Sequence, residues 1–304
     1  VELLEGKGGE IMQYKDKVLI LTPVKDSEQF LDTYFRLIYG LTYPRNLVSI
    51  GILESDSSDN TYSKLNERLP ELKNNFMSAT LWKKDFGFQI SKAMPRWADH
   101  VQVERRAVLA KSRNYLLFRA LDDEDWVLWL DVDVIEYPSD IIERLLAPGK
   151  NIVQPNCVKH YGGVSHDLNA WRDRGEYYLH DLRNEGDLVR LHAVGGTMLF
   201  VKADIHREGL IFPTFMYGIK SKLIKKAYHF EPKRAMVRRA ILNGMEAIAN
   251  SDLGQLLQIK RLVAPMLEGG YIGHIETEGL GIMAHDMGYE CWGMPNLEIK
   301  HRDS

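Results

Sequence analysis

Short apolar runs alternate with helix-spaced segments through the first 130 residues, and this alternation constrains the fold more than any other feature. Residues 17–23 (KVLILTP) are a continuous apolar run closed by a proline, the pattern of a strand buried on both faces. Residues 27–39 follow with Phe30, Leu31, Tyr34, Phe35 and Ile38 at helical spacing. A second run, 47–54 (LVSIGILE), precedes a helical stretch at 60–69. Leu81 and Trp82 mark a third strand, and 103–120 is helical again, with Val108, Tyr115, Leu116 and Phe118 set among cations. Residues 126–130 (WVLWL) then run straight into Asp131. This spacing predicts an α/β fold, a Rossmann-like, mostly parallel sheet flanked by helices.

The second half is less regular. Residues 152–155 and 198–201 read as strands, and 236–249 and 252–262 as helices, the second capped by Ser251. No repeat or low-complexity tract divides the chain. Residues 1–304 are therefore read as one domain, with 216–270 a helical, basic insertion near the C-terminal third. A net charge of −3 gives no reason to expect a nucleic-acid partner. No apolar run reaches the ~20 residues of a bilayer span. Cys157 and Cys291 are too few for a disulfide framework. The chain begins at Val1 rather than Met, so an upstream segment, able to carry an anchor or targeting signal, is expected to have been removed. The lack of an Asn-x-Ser/Thr sequon weighs mildly against a secretory history.

Parallel sheets bind ligands beyond the carboxyl ends of their strands. That rule makes Thr22-Pro23, Glu54-Ser55-Asp56 and Asp131-Val132-Asp133 neighbours at one rim. Two carboxylates one residue apart leave a strand on the same side, so Asp131 and Asp133 can share a hard divalent cation with a ligand's phosphates. The plainer alternative is a pair of solvated turn acids. Glu54 or Asp56 is placed to accept hydrogen bonds from a nucleoside, while Asp59 or Asn60 serves as a helix cap. Arg106 and Arg113, seven apart, share a helix face and suit a diphosphate. Gly195-Gly196 either admits a ligand close to the backbone or makes a tight turn. In 275–279 (IETEG), Glu276 and Glu278 lie on one side if extended and diverge if helical, and Glu276 suits a helix start and an acceptor hydroxyl. His301, taken alone, reads as a frayed terminal residue.

Residues 220–239 carry eight cations against Glu231 alone, and Met216, Ile219, Leu223, Ala227 and Phe230 recur at helical spacing. This is the pattern of a helix on an anionic membrane surface, with a solvated surface helix as the plainer alternative.

Taken together, VLILTPVKDS (18–27), LTYPRNL (41–47), ERRAVLAKSRNYLLF (104–118) and WVLWLDVDVIEYP (126–138) resemble the α-mannosyltransferase family that supplies the fungal Golgi mannan polymerases. The resemblance continues through LNAW (168–171), VGGTMLFVKADIHREGLIFPTF (194–215) and HIETEGLGIMAHDMGYECWGMPN (274–296). It implies a GT-A fold and a retaining transferase using GDP-mannose and Mn²⁺ (or Mg²⁺). It implies that Asp131 and Asp133 sit at metal and donor, that His301 completes the metal site, and that Glu276 and Glu278 lie by the acceptor and sugar as catalytic candidates. Thr22, Pro23, Glu54, Asp56, Arg106, Arg113, Asp131, Gly195 and Gly196 are the expected nucleotide-sugar contacts.

Relative to the fungal enzymes, the region between LNAW and the glycine pair is shorter, and an insertion separates Phe215 from His274. The expected acceptor is accordingly a glycan or glycolipid, with peripheral membrane contact through 216–239 and an oligomer allowed. The cytoplasmic membrane face is the expected compartment, or the Golgi lumen for a fungal member. Three other readings stand: a UDP-sugar donor, a sugar nucleotidyltransferase, and a non-catalytic polymerase subunit. The nucleotidyltransferase lacks its glycine-rich loop here, since Thr22-Pro23-Val24-Lys25-Asp26 follows the first strand.

Overall fold

The computed structural model describes residues 14–88, 99–173, 175–218 and 274–302. The basic segment beyond residue 218, the helices expected at 236–249 and 252–262, Ser251 and nearly all of the 216–270 insertion lie outside the described residues.

The strands in chain order are β1 (Val18–Val24), β2 (Val48–Glu54), β3 (Ser78–Lys83), β4 (Trp126–Leu130), β5 (Val134–Glu136), β6 (Ile152–Val158), β7 (Trp171–Arg172), β8 (Tyr177–Tyr178), β9 (Val189–Leu191), β10 (Met198–Lys202) and β11 (Cys291–His301). The helices are α1 (Leu31–Tyr39), α2 (Thr61–Asn75), α3 (Asp99–Ala120), α4 (Ile141–Leu146), α5 (Ala203–Arg207) and α6 (Glu276–Asp286). The main sheet runs β3-β2-β1-β4-β10-β6-β11-β5, with β9 on β11, while β7 and β8 form a separate ribbon. The first four strands are parallel, as the alternation with helices requires. β10 runs against both β4 and β6 and makes the sheet mixed. The result is a mixed sheet flanked by helices on both faces.

Strand periodicity distributes the core. Val18 and Ile20 of β1 join one cluster with Tyr34 and Ile38 of α1, Leu65 and Leu72 of α2 and Ile141 of α4. Leu19 and Leu21 join the other, with Leu116 of α3, Trp129 of β4, Ile205 of α5 and Leu280 of α6. Burial on both faces is why β1, β2 and β4 read as largely apolar runs.

Two elements depart from expectation. α2 does not stop before Pro70 but continues to Asn75, because Leu72 and Phe76 are buried and the Phe76 amide bonds the Leu72 carbonyl at 3.0 Å. That burial outweighs the backbone bond a proline removes. β11 is a full strand, and His301 is its last residue rather than part of a frayed tail. Cys157 and Cys291 are both buried and free. Among the described residues, no helix is long and apolar enough to cross a membrane.

Candidate active site

The parallel strands deliver their ends to one rim, as expected, but several side chains there serve the scaffold. Thr22 is wholly buried, and its hydroxyl meets that of Tyr34 at 2.9 Å inside the core. Pro23, next to it, is half-buried. Glu54 is also wholly buried: Oε1 accepts the Ser57 amide at 2.9 Å, and Lys83 Nζ lies 3.7 Å from Oε2, which has no hydrogen-bond partner. Asp56, at φ +55°, accepts the amides of Phe86 and Gly87, each at 2.9 Å, and so ties the loop after β3 to the end of β2.

The centre of the site is a buried charge network drawn from α3, β4 and α6. Arg113 pairs with Glu276 through Nη1 and, through Nη2, bonds Asp131 Oδ1 at 3.1 Å and the Gly196 carbonyl at 3.5 Å. One turn pair earlier on α3, Arg106 donates to Glu278 Oε2 at 2.6 Å and to the Ile275 carbonyl at 2.9 Å. Its Nε lies 3.6 Å from Glu276 Oε2, so both glutamates meet the same arginine although the helix makes them diverge. Glu276 is the first residue of α6, with φ +62°, a left-handed conformation that costs a non-glycine residue about 1–3 kcal/mol. Burial alone would raise the Glu278 carboxyl, but His274, Arg106 and the Trp171 indole N–H outweigh it and hold it at about 2.

The glycine pair sits where two side chains crowd the backbone. A Cβ at Gly195 would stand 2.0 Å from Asp167 Oδ2, and one at Gly196 would stand 2.6 Å from Arg113 Nη2. Asp167 Oδ2 accepts the amides of Gly196 at 2.9 Å and Thr197 at 3.2 Å, and the Thr197 hydroxyl at 3.0 Å. The Thr197 carbonyl in turn accepts the Asp131 amide at 2.9 Å. Asp167, His166, Trp171 and His274 belong to this network and were missed from sequence. The adjacent imidazole and carboxylate of 166–167, in the loop that follows a buried strand, were the available signal.

His301 is brought to the same place. Its Nε2 lies 3.2 Å from Asp133 Oδ2, and its Nδ1 lies 2.8 Å from the Arg302 carbonyl. Burial would lower His301, but Asp133 outweighs it and raises the imidazole; reciprocally, His301 lowers Asp133 against the effect of burial. Burial raises Asp131; Arg113 opposes the rise, and Asp133, Asp167 and Glu276 add to it. Among the described residues, no three His, Cys, Asp or Glu side chains are grouped so as to hold a metal ion. The donor types nevertheless suit a hard divalent cation. Negative charge crowds around Asp131, and His301 ties its other ring nitrogen to a carbonyl, as metal-bound histidines do.

Comparison with known proteins gives consistent relatives. The profile of the family described as Anp1 matches residues 7–182 and 176–216. The chain is 27% identical over 329 residues to the mannan polymerase II complex anp1 subunit of Schizosaccharomyces pombe, covering 94% of this chain and 64% of that one. It is 26% identical to the mannan polymerase complex subunit MNN9 of Candida albicans, covering 96% and 76%. It is 30% identical to the mannan polymerase II complex ANP1 subunit of Saccharomyces cerevisiae, covering 67% and 49%. The chain thus spans less than two thirds of the first of these relatives and about half of the last. Solved structures similar to it include the mannosyltransferase PcManGT from Pyrobaculum calidifontis, in complex with GDP-Man and Mn2+, at 19% identity and TM-score 0.43 over 83% of this chain and 70% of that one. S. aureus TarS 1–349 in complex with UDP has 14% identity and TM-score 0.42 over 65% and 50%. Both are loose likenesses.

Proposed function

The chain belongs to the Anp1 family, and from that premise we propose that it moves mannose from GDP-mannose to a hydroxyl of a glycan or glycolipid, with retention. The observation that carries this reading is the convergence of Asp131 and Asp133, at the end of β4, with Arg113 and Glu276 on one side and His301 on the other. A buried, strongly charged cluster at the carboxyl ends of parallel strands is the place where such a sheet binds an anionic ligand.

Asp131, Asp133 and His301 are the residues that would hold Mn²⁺ or Mg²⁺, whose charge, when bound, neutralises a departing diphosphate. Arg113 has both terminal nitrogens committed to carboxylates and a carbonyl, so its work is to hold Asp131 and Glu276 in place. Glu276 then presents fixed negative charge beside a sugar ring that becomes cationic as the donor bond breaks. Glu278, held ionised between Arg106, Trp171 and His274, is a support for Glu276 rather than a proton carrier. The relatives named as complex subunits support a protein partner for this chain as well. Contact with a membrane through 216–239 completes the proposal.

The test is thermal unfolding with GDP, UDP and their sugars, each with Mn²⁺ and with chelator, since a ligand of the folded state raises its melting temperature. Metal-dependent stabilisation by GDP and GDP-mannose is expected. Selective response to a UDP-sugar would replace the donor, and no response to any would favour a non-catalytic subunit. Asp133→Ala is expected to abolish the metal-dependent part of the response and of turnover; an unchanged variant would sink the metal assignment. Vesicle binding should drop when 220–239 is removed, and equal binding by both forms would discard the membrane contact.

A further inference from the structure

His301 stands at the end of β11, just where its pairing with β5 shifts register between Lys300 and His301. Each of its ring nitrogens has an oxygen partner, Nδ1 the Arg302 carbonyl at 2.8 Å and Nε2 the Asp133 carboxylate at 3.2 Å. Contacts at the two nitrogens alone leave the ring free to rock about the line that joins them. A contact on the face of the ring would remove that freedom, and His166 makes one: the two imidazole centroids are 4.2 Å apart and the planes 28° from parallel.

His166 is itself firmly mounted. Its amide donates to the Cys157 carbonyl at 2.7 Å. Ser165, before it, donates its hydroxyl to Asn156 Oδ1 at 2.7 Å, tying the segment to β6. Asp167, after it, takes the Gly196 and Thr197 amides at the start of β10, beside Asp131. The segment is therefore pinned to two neighbouring strands, with the His166 ring directed at the third arm of the site.

We infer that His166 is a positioning residue whose ring face holds the His301 imidazole with Nε2 toward Asp133. It acts through His301, by its face and not by a nitrogen. Its consequence for metal binding rests on the function proposed above, whereas the ring-on-ring restraint does not.

The experiment compares the full chain with His166→Ala and His166→Phe. Phenylalanine keeps a flat face and lacks both nitrogens. The first readout is the Mn²⁺ concentration giving half of the maximal stabilisation in the presence of GDP. His166→Ala should raise it about tenfold, the scale of an outer-shell loss, and His166→Phe should return it close to the wild-type value. Equal losses in both variants would assign the work to a nitrogen of His166 and overturn the inference, as would no loss in His166→Ala. If the wild type shows no Mn²⁺ response, the metal reading has failed, and the metal-free protein decides the inference. There, NMR should show ring-to-ring NOEs and one His301 environment in wild type and His166→Phe, and several environments in His166→Ala. The same single environment in all three would overturn it.

Discussion

Arg113 is a buried cation whose hydrogen-bond partners are all carboxylate or carbonyl oxygens of the site, and its Nε has none. Removing one partner of such a pair leaves a charge uncompensated, which typically costs about 3–5 kcal/mol. Glu276→Ala should therefore destabilise the protein by that order, and Glu276→Gln by less, in urea unfolding; a loss under about 1 kcal/mol would mean that the pair is not held closed. Gly195→Ala should cost about 1–3 kcal/mol through overpacking, because the new methyl would enter the Asp167 carboxylate. Residue types were legible in the sequence, but their pairings were not. Spacing shows that Asp131 and Asp133 leave one side of a strand; it does not show that Asp133 meets His301 while Asp131 meets Arg113.

At the scale of elements, α5 docks on β4 through His206, whose Nδ1 lies 2.7 Å from the Leu210 carbonyl while Nε2 accepts the Trp129 indole N–H at 3.3 Å. That pattern fixes the neutral Nδ1–H tautomer. Burial, the largest cause, lowers the imidazole from 6.5 to about 4 against the pull of the Leu210 carbonyl. As pH falls, the unfolded chain takes the proton first. The stabilisation is thus complete above pH 6.5 and fades toward pH 4, by roughly 3 kcal/mol at most. His206→Gln should flatten the fall in stability across that window relative to wild type; parallel curves for the two proteins would refute the assignment. Elements buried on both faces, such as β1, β2 and β4, declared themselves in sequence as apolar runs. β11 did not, since CWGMPNLEIKH carries glycine, proline and lysine and owes its conformation to pairing with β6, β5 and β9. The antiparallel direction of β10 was equally hidden, because a strand's apolar pattern is the same read either way.

Across the whole molecule, the site depends on a break in the sheet. β6 and β11 pair in parallel until Met294 meets Pro155, and resume only where Glu298 meets Asn156. Pro155 and Pro295 both fall at this gap, and neither has an amide hydrogen to give the ladder. Asn156 fills the gap: its Nδ2 donates to the Pro295 carbonyl at 3.1 Å, and its Oδ1 accepts the Ser165 hydroxyl at 2.7 Å. One buried amide therefore joins the far half of β11, which carries His301, to the segment that carries His166. This side chain adds to the other ties between the two segments, the His166 amide on the Cys157 carbonyl at 2.7 Å and the Gly162 amide on Glu298 Oε2 at 2.7 Å. Asn156→Leu would leave the buried Pro295 carbonyl without its partner, at about 1–3 kcal/mol, and would take one partner from the Ser165 hydroxyl, which keeps the His180 amide at 3.1 Å. The variant should melt earlier and should also need more Mn²⁺ for half-maximal stabilisation with GDP, because both arms that orient His301 lose a tie they share. A variant that melts earlier yet keeps the wild-type Mn²⁺ midpoint would show that β11 holds His301 in place without Asn156.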